Sequence, residues 1–236
     1  MKIGVIGGNG VAATNRLCEM VERKVTAAGA FRDAHHPEMV VMYATQAPSR
    51  SMFLEGRGSD WRPDYIAAAK TLKALGCDYG CMCCNTAHYA INEVAGESGL
   101  EFISLVDEVA SKAKALGYGR YELFCTDGAR KFDIYGKVFK RVCPNVEVVY
   151  PSAERQAKVT EVICAVKTAK RFDGDGVPQI MLDRIVAESA NPVILGCTDL
   201  RVAYKVNDDL PSGVAIDSLE CLADAIAEKW LRHKNW

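Results

Sequence analysis

Two cysteines lie where a thiol could move a proton. Cys84 ends the strand-like run "YGCMCC" and is followed by "NTAH", and Cys197 ends "PVILGC" and is followed by "TDL". At both places a buried strand is predicted to lead directly into a helix. The positive end of a helix lowers the pKa of a thiol, and neighbouring hydroxyl and amide groups stabilise the thiolate. Cys84 and Cys197 are therefore candidate acid/base groups.

The positions of the two cysteines suggest that they act together. They lie roughly half the chain apart, each at the end of the third strand candidate of its half. In open α/β sheets the ligand crevice lies outside the carboxyl ends of the strands. We expect the two thiols to face each other across one ligand, so that one thiolate takes a proton from one face and the other thiol delivers a proton to the opposite face.

The elements that must position these cysteines follow from short apolar runs. The strand candidates are 2–8, 39–45, 79–84, 101–106, 121–126, 146–151, 192–197 and 213–217. Most are almost continuously apolar, as expected for strands covered on both faces of a parallel sheet. Helical patterns lie between them, including 63–76, 105–117 and 217–230. The alternation predicts an α/β fold with two halves of four strands each.

Composition excludes several kinds of partner. The chain has 236 residues, and its 29 Lys and Arg nearly balance its 30 Asp and Glu without a run of one sign. We therefore expect neither nucleic-acid nor membrane-surface binding. The N-terminus leads straight into a strand pattern without a signal peptide, which favours a cytoplasmic protein. Its ten cysteines are then expected to be reduced.

The cluster of Cys77, Cys81, Cys83 and Cys84 has alternatives to acid/base chemistry. It lacks paired C-x-x-C knuckles, and successive strand residues point to opposite faces, so a tetrahedral zinc site is disfavoured and no metal is expected. A disulfide between adjacent cysteines would be strained, and the single C-x-x-C spacing would put its first cysteine inside a strand. We predict that Cys81 and Cys83 are core residues and that, within this cluster, Cys84 alone takes part in acid/base chemistry.

The glycine-rich stretch "GVIGGNG" at 4–10 resembles a phosphate-binding loop. Its spacing departs from the dinucleotide fingerprint, the second strand candidate ends without a carboxylate, and the Walker lysine is absent, so a bound nucleotide is disfavoured. Backbone amides in such a loop can bind a substrate carboxylate instead.

Two motifs carry a family resemblance. "CNTAH" and "GCTDL" resemble the paired catalytic motifs of the aspartate/glutamate racemase family. The likeness extends in order through "IGGNGVAAT" (6–14), "YATQAPSR" (43–50), "TDGARKFDIY" (126–135), "AVKTAK" (165–170) and "IDSLECLA" (216–223).

The resemblance implies a cofactor-independent racemase that forms a homodimer. It implies two similar α/β lobes, each a four-stranded, mainly parallel sheet flanked by helices, with the active site in the cleft between them. We expect the first lobe to comprise 1–114 and the C-terminal segment 214–236, and the second lobe to comprise 115–213.

The resemblance also assigns roles to individual residues. Cys84 and Cys197 would be the acid/base thiols. The substrate-binding residues would be Asn9, Arg50, Asn85, Thr86, Thr126, Lys167 and Thr198. Arg50 would read a side-chain carboxylate through its planar fork. His88 and Asp199 would support the site.

Four positions depart from the family pattern. Asn9 and Val11 replace a methionine and a proline of the first loop, Ala129 replaces a threonine, and Asp199 replaces a glutamate. These changes leave both thiols in place and alter the pocket wall, so they bear on the substrate more than on the reaction.

The expected function is that of an isomerase, an amino-acid racemase for a small dicarboxylic amino acid, aspartate first and glutamate second. A hydantoin racemase and a maleate-type isomerase remain alternatives within the same fold. A non-catalytic dicarboxylate-binding protein is an alternative of a different class, kept open by Asn9 and Asp199. A thiol redox protein would require a Cys81–Cys84 or Cys84–Cys197 disulfide. The presence of both cysteines counts against a one-cysteine decarboxylase.

Overall fold

A computed structural model describes residues 1–168, 176–204 and 209–233. Positions 169 and 170 of "AVKTAK" and the last three positions of the expected first lobe lie outside this description. Within it, the strands are β1 Lys2–Gly7, β2 Glu38–Tyr43, β3 Tyr79–Met82, β4 Glu101–Ile103, β5 Arg120–Phe124, β6 Glu147–Val149, β7 Val193–Leu195 and β8 Val214–Asp217. All eight strand predictions are confirmed in place, with ends that shift by a few residues.

The helices fill the segments between the strands. The α-helices of the described residues are α1 Val11–Ala27, α2 Arg50–Leu54, α3 Arg62–Ala74, α4 Ile91–Ser98, α5 Leu105–Leu116, α6 Asp127–Lys131, α7 Ile134–Val142, α8 Ala153–Ala165, α9 Val177–Ala187, α10 Thr198–Val202 and α11 Ser218–Leu231. Short 3-10 helices cover Asp33–His35 and Asn85–Ala90.

The strands form two four-stranded sheets in which every pair is parallel. The first sheet has the order β2-β1-β3-β4, and the second has the equivalent order β6-β5-β7-β8. We call the first sheet with its helices the first lobe and the second sheet with its helices the second lobe. The predicted fold class is therefore confirmed.

The strand registers place the site loops together. Ile6 of β1 lies opposite Met82 of β3, and Phe124 of β5 lies opposite Leu195 of β7. Because parallel strands end at the same edge of their sheet, the loops after β1 and β3 emerge side by side in one lobe. The loops after β5 and β7 do the same in the other.

Burial explains the apolar strand runs. Cys81 and Cys83 are fully buried in one hydrophobic cluster, whereas Met82 and Cys84 belong to a cluster on the other side of the sheet. Burial raises the pKa of the Cys81 and Cys83 thiols. Both are thus neutral core residues, as predicted.

One expected boundary is corrected. We expected 214–236 to belong to the first lobe, but β8 pairs with β7 in the second sheet, with Val193 opposite Val214. The apolar run supplies the fourth strand that covers the edge of β7. The rest of the segment does lie against the first lobe, since Lys24 of α1 forms a 3.2 Å ion pair with Glu220 of α11.

Candidate active site

Cys84 and Cys197 occupy equivalent places in the two lobes. Each follows the end of its strand, has an extended backbone and is the N-cap residue of the next helix. Cys84 is 9% exposed and Cys197 is 7% exposed, and both line one cavity of about 190 Å³. The structure therefore brings together the two thiols that the sequence singled out.

This interlobe cavity gathers nearly all the predicted site residues. Its lining includes Cys84 and Cys197 with Asn9, Arg50, Asn85, Thr86, Thr126, Lys167, Thr198 and Asp199. His88 lies outside the cavity. The remaining lining residues were missed by sequence reasoning: Ser49, Ser51, Glu55, Asp127, Thr160, Ile163 and Cys164.

A sequence signal for some of the missed residues does exist. Thr160, Ile163 and Cys164 lie on α8 at three- and four-residue spacings that continue to Lys167. Side chains with that spacing share one face of a helix. The candidate lysine could therefore have identified the whole face.

The environment of Cys197 favours its neutral thiol. Burial raises the pKa of Cys197, and the Asp199 carboxylate raises it further. Lys167 and the backbone N–H of Asp199 lower the pKa but do not outweigh burial. In the absence of a ligand, Cys197 is thus a proton donor.

Arg50 supplies positive charge on the side of Cys84. Its Nη1 donates to the Pro48 carbonyl at 2.9 Å, which holds the guanidinium at the start of α2. Burial lowers the pKa of Arg50, but the interaction with Cys84, followed by that with Tyr65, raises the pKa above its ordinary value. The buried Nε of Arg50 has no hydrogen-bond partner within the described residues, so it can donate to a ligand.

Lys167 and Asp199 form an ion pair across the cavity wall. Lys167 Nζ lies 3.0 Å from Asp199 Oδ2, with the aspartate side chain 7% exposed and the lysine side chain 53% exposed. Burial lowers the pKa of Lys167, and Asp199 and then Cys197 raise it, so that the lysine remains cationic.

Gly10 makes room for the Asp199 carboxylate. Its φ of 129° is unfavourable for side-chain-bearing residues, and a Cβ on it would lie 2.5 Å from Asp199 Oδ1. A glycine at this position of the first loop therefore allows the Asp199 carboxylate to approach the backbone closely.

The neighbouring Asn9 offers a buried acceptor. Its Nδ2 donates to the Gly7 carbonyl at 3.2 Å. Its Oδ1 is buried and has no hydrogen-bond partner in the described part of the chain. An acceptor of this kind in the cavity wall suits a ligand ammonium group.

Polar side chains of the cavity lining also connect the lobes. Thr86 Oγ1 lies 2.9 Å from Thr126 Oγ1, and Thr198 Oγ1 donates to the Cys83 carbonyl at 3.4 Å.

Asn85 also bridges the two lobes. The Tyr135 hydroxyl donates to Asn85 Oδ1, and Asn85 Nδ2 donates to Ser218 Oγ at 3.1 Å. The Asn85 side chain is thereby held by residues that sequence reasoning had not assigned to the site.

His88 supports the site from below rather than from the cavity. Its Nε2 accepts from the Leu105 N–H at 3.0 Å, so the ring proton is on Nδ1, which donates to the Cys84 carbonyl at 2.9 Å. Burial lowers the pKa of His88 to about 4. It is a neutral residue that fixes the backbone of Cys84.

A buried ion pair fixes the helix that follows Cys197. Arg201 Nε on α10 lies 3.2 Å from Asp217 Oδ2, and both side chains are buried. Asp217 Oδ1 also accepts from the Leu219 N–H at 2.9 Å. The start of α11 is thereby tied to α10, which carries Thr198 and Asp199.

No group of three or more His, Cys, Asp and Glu among the described residues could hold a metal ion. None of the helices they form is long and apolar enough to cross a membrane.

The fold and site define a two-lobed α/β protein in which both thiols line a cavity between the lobes, and comparison with known families gives its class. The family described as Asp/Glu/hydantoin racemase matches residues 3–226. The chain belongs to this family, which confirms the resemblance seen in the motifs and the enzyme class, an isomerase of the racemase type.

Individual relatives agree with this membership. The chain is 26% identical to the broad-specificity amino-acid racemase RacX of Bacillus subtilis (strain 168) over 245 residues, covering 99% of this chain and 100% of that protein. Its fold is similar to that of Picrophilus torridus aspartate racemase, with a TM-score of 0.79 and 23% identity; the match covers 97% of this chain and 94% of that protein. It is also similar to an aspartate racemase homologue from Pyrococcus horikoshii OT3, with a TM-score of 0.69 and 23% identity; the match covers 98% of this chain and 99% of that protein.

Proposed function

We propose that the chain is a cofactor-independent racemase that moves a proton at the Cα of an amino acid between Cys84 and Cys197. The observation that carries this proposal is that one thiol from each lobe lines the same small cavity. The thiolate of one cysteine takes the Cα proton and becomes a thiol, leaving a carbanion. The other thiol gives its proton to the opposite face and becomes a thiolate. For the other enantiomer the two roles are exchanged.

The cavity supports both halves of this transfer. Burial and Asp199 keep Cys197 protonated, while Arg50 supplies positive charge for a thiolate at Cys84. A Cα–H is a weak acid, so the carbanion needs hydrogen-bond donors at the substrate carboxylate in a water-poor site. We infer that the loops after the two cysteines would supply them, since Thr86 and Thr198 line the cavity.

The proposed substrate is aspartate first and glutamate second. Arg50 would bind the side-chain carboxylate with its unpaired Nε, and Asn9 Oδ1 would accept from the substrate ammonium group.

Broad amino-acid specificity is the second candidate. Lys167, the other cation of the lining, is already paired with Asp199 at 3.0 Å. The similar protein from Bacillus subtilis is named as a broad-specificity racemase.

The proposal is tested by incubating the protein in heavy water with single enantiomers of aspartate, glutamate, and neutral and basic amino acids. Cα deuteration is followed by NMR and inversion by chiral chromatography. Cys84→Ser and Cys197→Ser should each lower the rate by at least about 100-fold. Cys18→Ser, a change on α1, should keep the wild-type rate.

Other outcomes separate the alternatives. Unchanged racemisation in both serine variants would show that the two-thiol mechanism is wrong. Tight dicarboxylate binding without Cα exchange would favour a non-catalytic binder. Turnover of hydantoins or of maleate in place of amino acids would favour the other reactions of this fold.

The proposal includes a homodimer in the cytoplasm. A reducing compartment suits the mechanism because both thiols must stay reduced to carry protons. Light scattering coupled to size-exclusion chromatography measures the oligomeric state, and a monomer would contradict that part of the proposal.

A further inference from the structure

We propose that Asp199 is a specificity-determining residue. By pairing with Lys167 it neutralises one of the two cations that line the cavity, and so lets the site accept amino acids without a side-chain carboxylate. This inference rests on the proposed racemase function and specifies its substrate class.

The geometry places the aspartate where it competes with a substrate. Asp199 Oδ2 lies 3.0 Å from Lys167 Nζ, and the carboxylate is nearly buried while the ammonium group is half exposed. Asp199 is in the first turn of α10, and Gly10 leaves the space that its Oδ1 occupies. The carboxylate thus takes the position beside Lys167 that a substrate carboxylate would need.

The charges of the cavity support this reading. Among the described residues, its Lys and Arg side chains are Arg50 and Lys167, and its acidic side chains are Glu55, Asp127 and Asp199. Once the Lys167–Asp199 pair is counted as neutral, Arg50 remains as the cation for a carboxylate. A side-chain carboxylate then has Arg50 as its one cationic partner in the lining, so the site favours an acidic amino acid less than a site with both cations available would.

The effect on specificity can be separated from an effect on the thiols. Asp199 raises the pKa of Cys197, so Asp199→Asn will change proton transfer for every substrate. Aspartate and asparagine have nearly the same shape and differ in side-chain charge. A change in proton transfer that affects both substrates equally cancels in the ratio of their kcat/KM values. The ratio therefore reports the preference for a charged side chain.

We therefore compare the aspartate-to-asparagine ratio of kcat/KM in the wild type, Asp199→Asn, Lys167→Gln and the double variant. Asp199→Asn should raise the ratio by about threefold to tenfold, because a half-exposed lysine contributes modestly. The double variant should have a ratio within about twofold of that of Lys167→Gln. Asp199 is proposed to act on the ratio through Lys167, so its replacement should have little effect once the lysine is removed. Asp127→Asn, which removes another lining carboxylate, is the matched control and should shift the ratio by less than about twofold.

Binding gives a readout that does not need turnover. The ratio of Kd for succinamate to Kd for succinate, measured by calorimetry, should also rise in Asp199→Asn by about threefold to tenfold. An unchanged ratio in Asp199→Asn, or an equal shift in Asp127→Asn, would overturn the role of Asp199. Absence of Cα exchange with every amino acid would instead overturn the racemase function, and the binding ratio would still decide whether Asp199 sets the charge preference.

Discussion

The hydroxyl of Thr86, from the first lobe, lies 2.9 Å from the hydroxyl of Thr126, from the second, at the edge of the cavity that both thiols line. Thr126 also caps α6, because its Oγ1 accepts from the Ala129 N–H at 3.2 Å. One side chain thus starts a helix of the second lobe and joins that lobe to the first. The two lobes are therefore hydrogen-bonded to each other at the edge of the proposed substrate site.

Replacing Thr126 should therefore affect both stability and catalysis. Thr126→Val removes the helix cap and the contact with Thr86, and we expect it to lower the free energy of unfolding by about 1–2 kcal/mol. Thr126→Ser keeps both hydrogen bonds and should stay close to the wild type. Urea unfolding and racemisation rates measure the two effects. A valine variant as stable as the serine variant would contradict this account.

Removing the Tyr135 hydroxyl should impair the site through Asn85. In Tyr135→Phe the buried Asn85 Oδ1 loses its donor, which should cost about 1–3 kcal/mol of stability. The displaced Asn85 should lower kcat by about tenfold or more. Tyr121→Phe is the control, since the buried Tyr121 hydroxyl donates to the Ala113 carbonyl at 3.0 Å away from the cavity. It should be similarly destabilised yet fully active, and equal activity losses in the two variants would refute the role of Tyr135.

A methyl group on Gly10 should disturb the Asp199–Lys167 pair. Gly10→Ala places a Cβ 2.5 Å from Asp199 Oδ1, and we expect kcat/KM to fall by about 10- to 100-fold. Gly29→Ala is the matched control, because its φ of 106° is similarly unfavourable but no atom lies within 4 Å of the added Cβ. It should lose about 1–2 kcal/mol of stability and retain activity. The expectation fails if both variants lose activity to the same extent.

Protonation of the buried His88 should by itself destabilise the folded protein in mild acid. Its pKa is lowered to about 4 in the folded state, against about 6.5 in an unfolded chain. The folded state therefore binds fewer protons, and stability present above pH 6.5 is lost as the pH falls towards 4. This amounts to about 2 kcal/mol at pH 5.

The pH effect can be isolated by comparing unfolding free energies at pH 7.5 and pH 5. His88→Gln should show a decrease smaller than that of the wild type by about 2 kcal/mol. His233→Gln, which changes an exposed histidine, should keep the wild-type pH dependence. An identical decrease in wild type and His88→Gln would mean that another group carries the acid sensitivity.

Much of the fold could be predicted because burial constrains sequence locally. A strand covered on both faces has to be apolar along its length, so the central strands β1, β3, β5 and β7 were visible as short apolar runs. The edge strands β2 and β6 are only partly covered but carry similar apolar runs. The C-terminal strand, β8, was assigned to the wrong lobe because an apolar run gives no information about which sheet edge it pairs with. Val214 lies opposite Val193 only through packing of segments distant in sequence.

The residues of the candidate site that lie at strand–helix junctions could be predicted, whereas the contacts between the lobes that hold them could not. Side chains at strand–helix junctions, such as Cys84 and Thr198, were recognisable from local residue types. Tyr135 was missed as a partner of Asn85 because its role depends on contact between the lobes. His88 was expected to support the site, and its hydrogen bonds to Cys84 and Leu105 placed it below the cavity.

The strands, the two junction thiols and the family motifs could be identified from local sequence, because each depends on neighbours along the chain. Three relationships depend instead on how the lobes pack: Cys84 and Cys197 line one cavity, Asn85 is held by Tyr135 and Ser218, and Lys167 is paired with Asp199. These relationships join segments far apart in the chain. They arise from how the two lobes pack, which local periodicity does not encode.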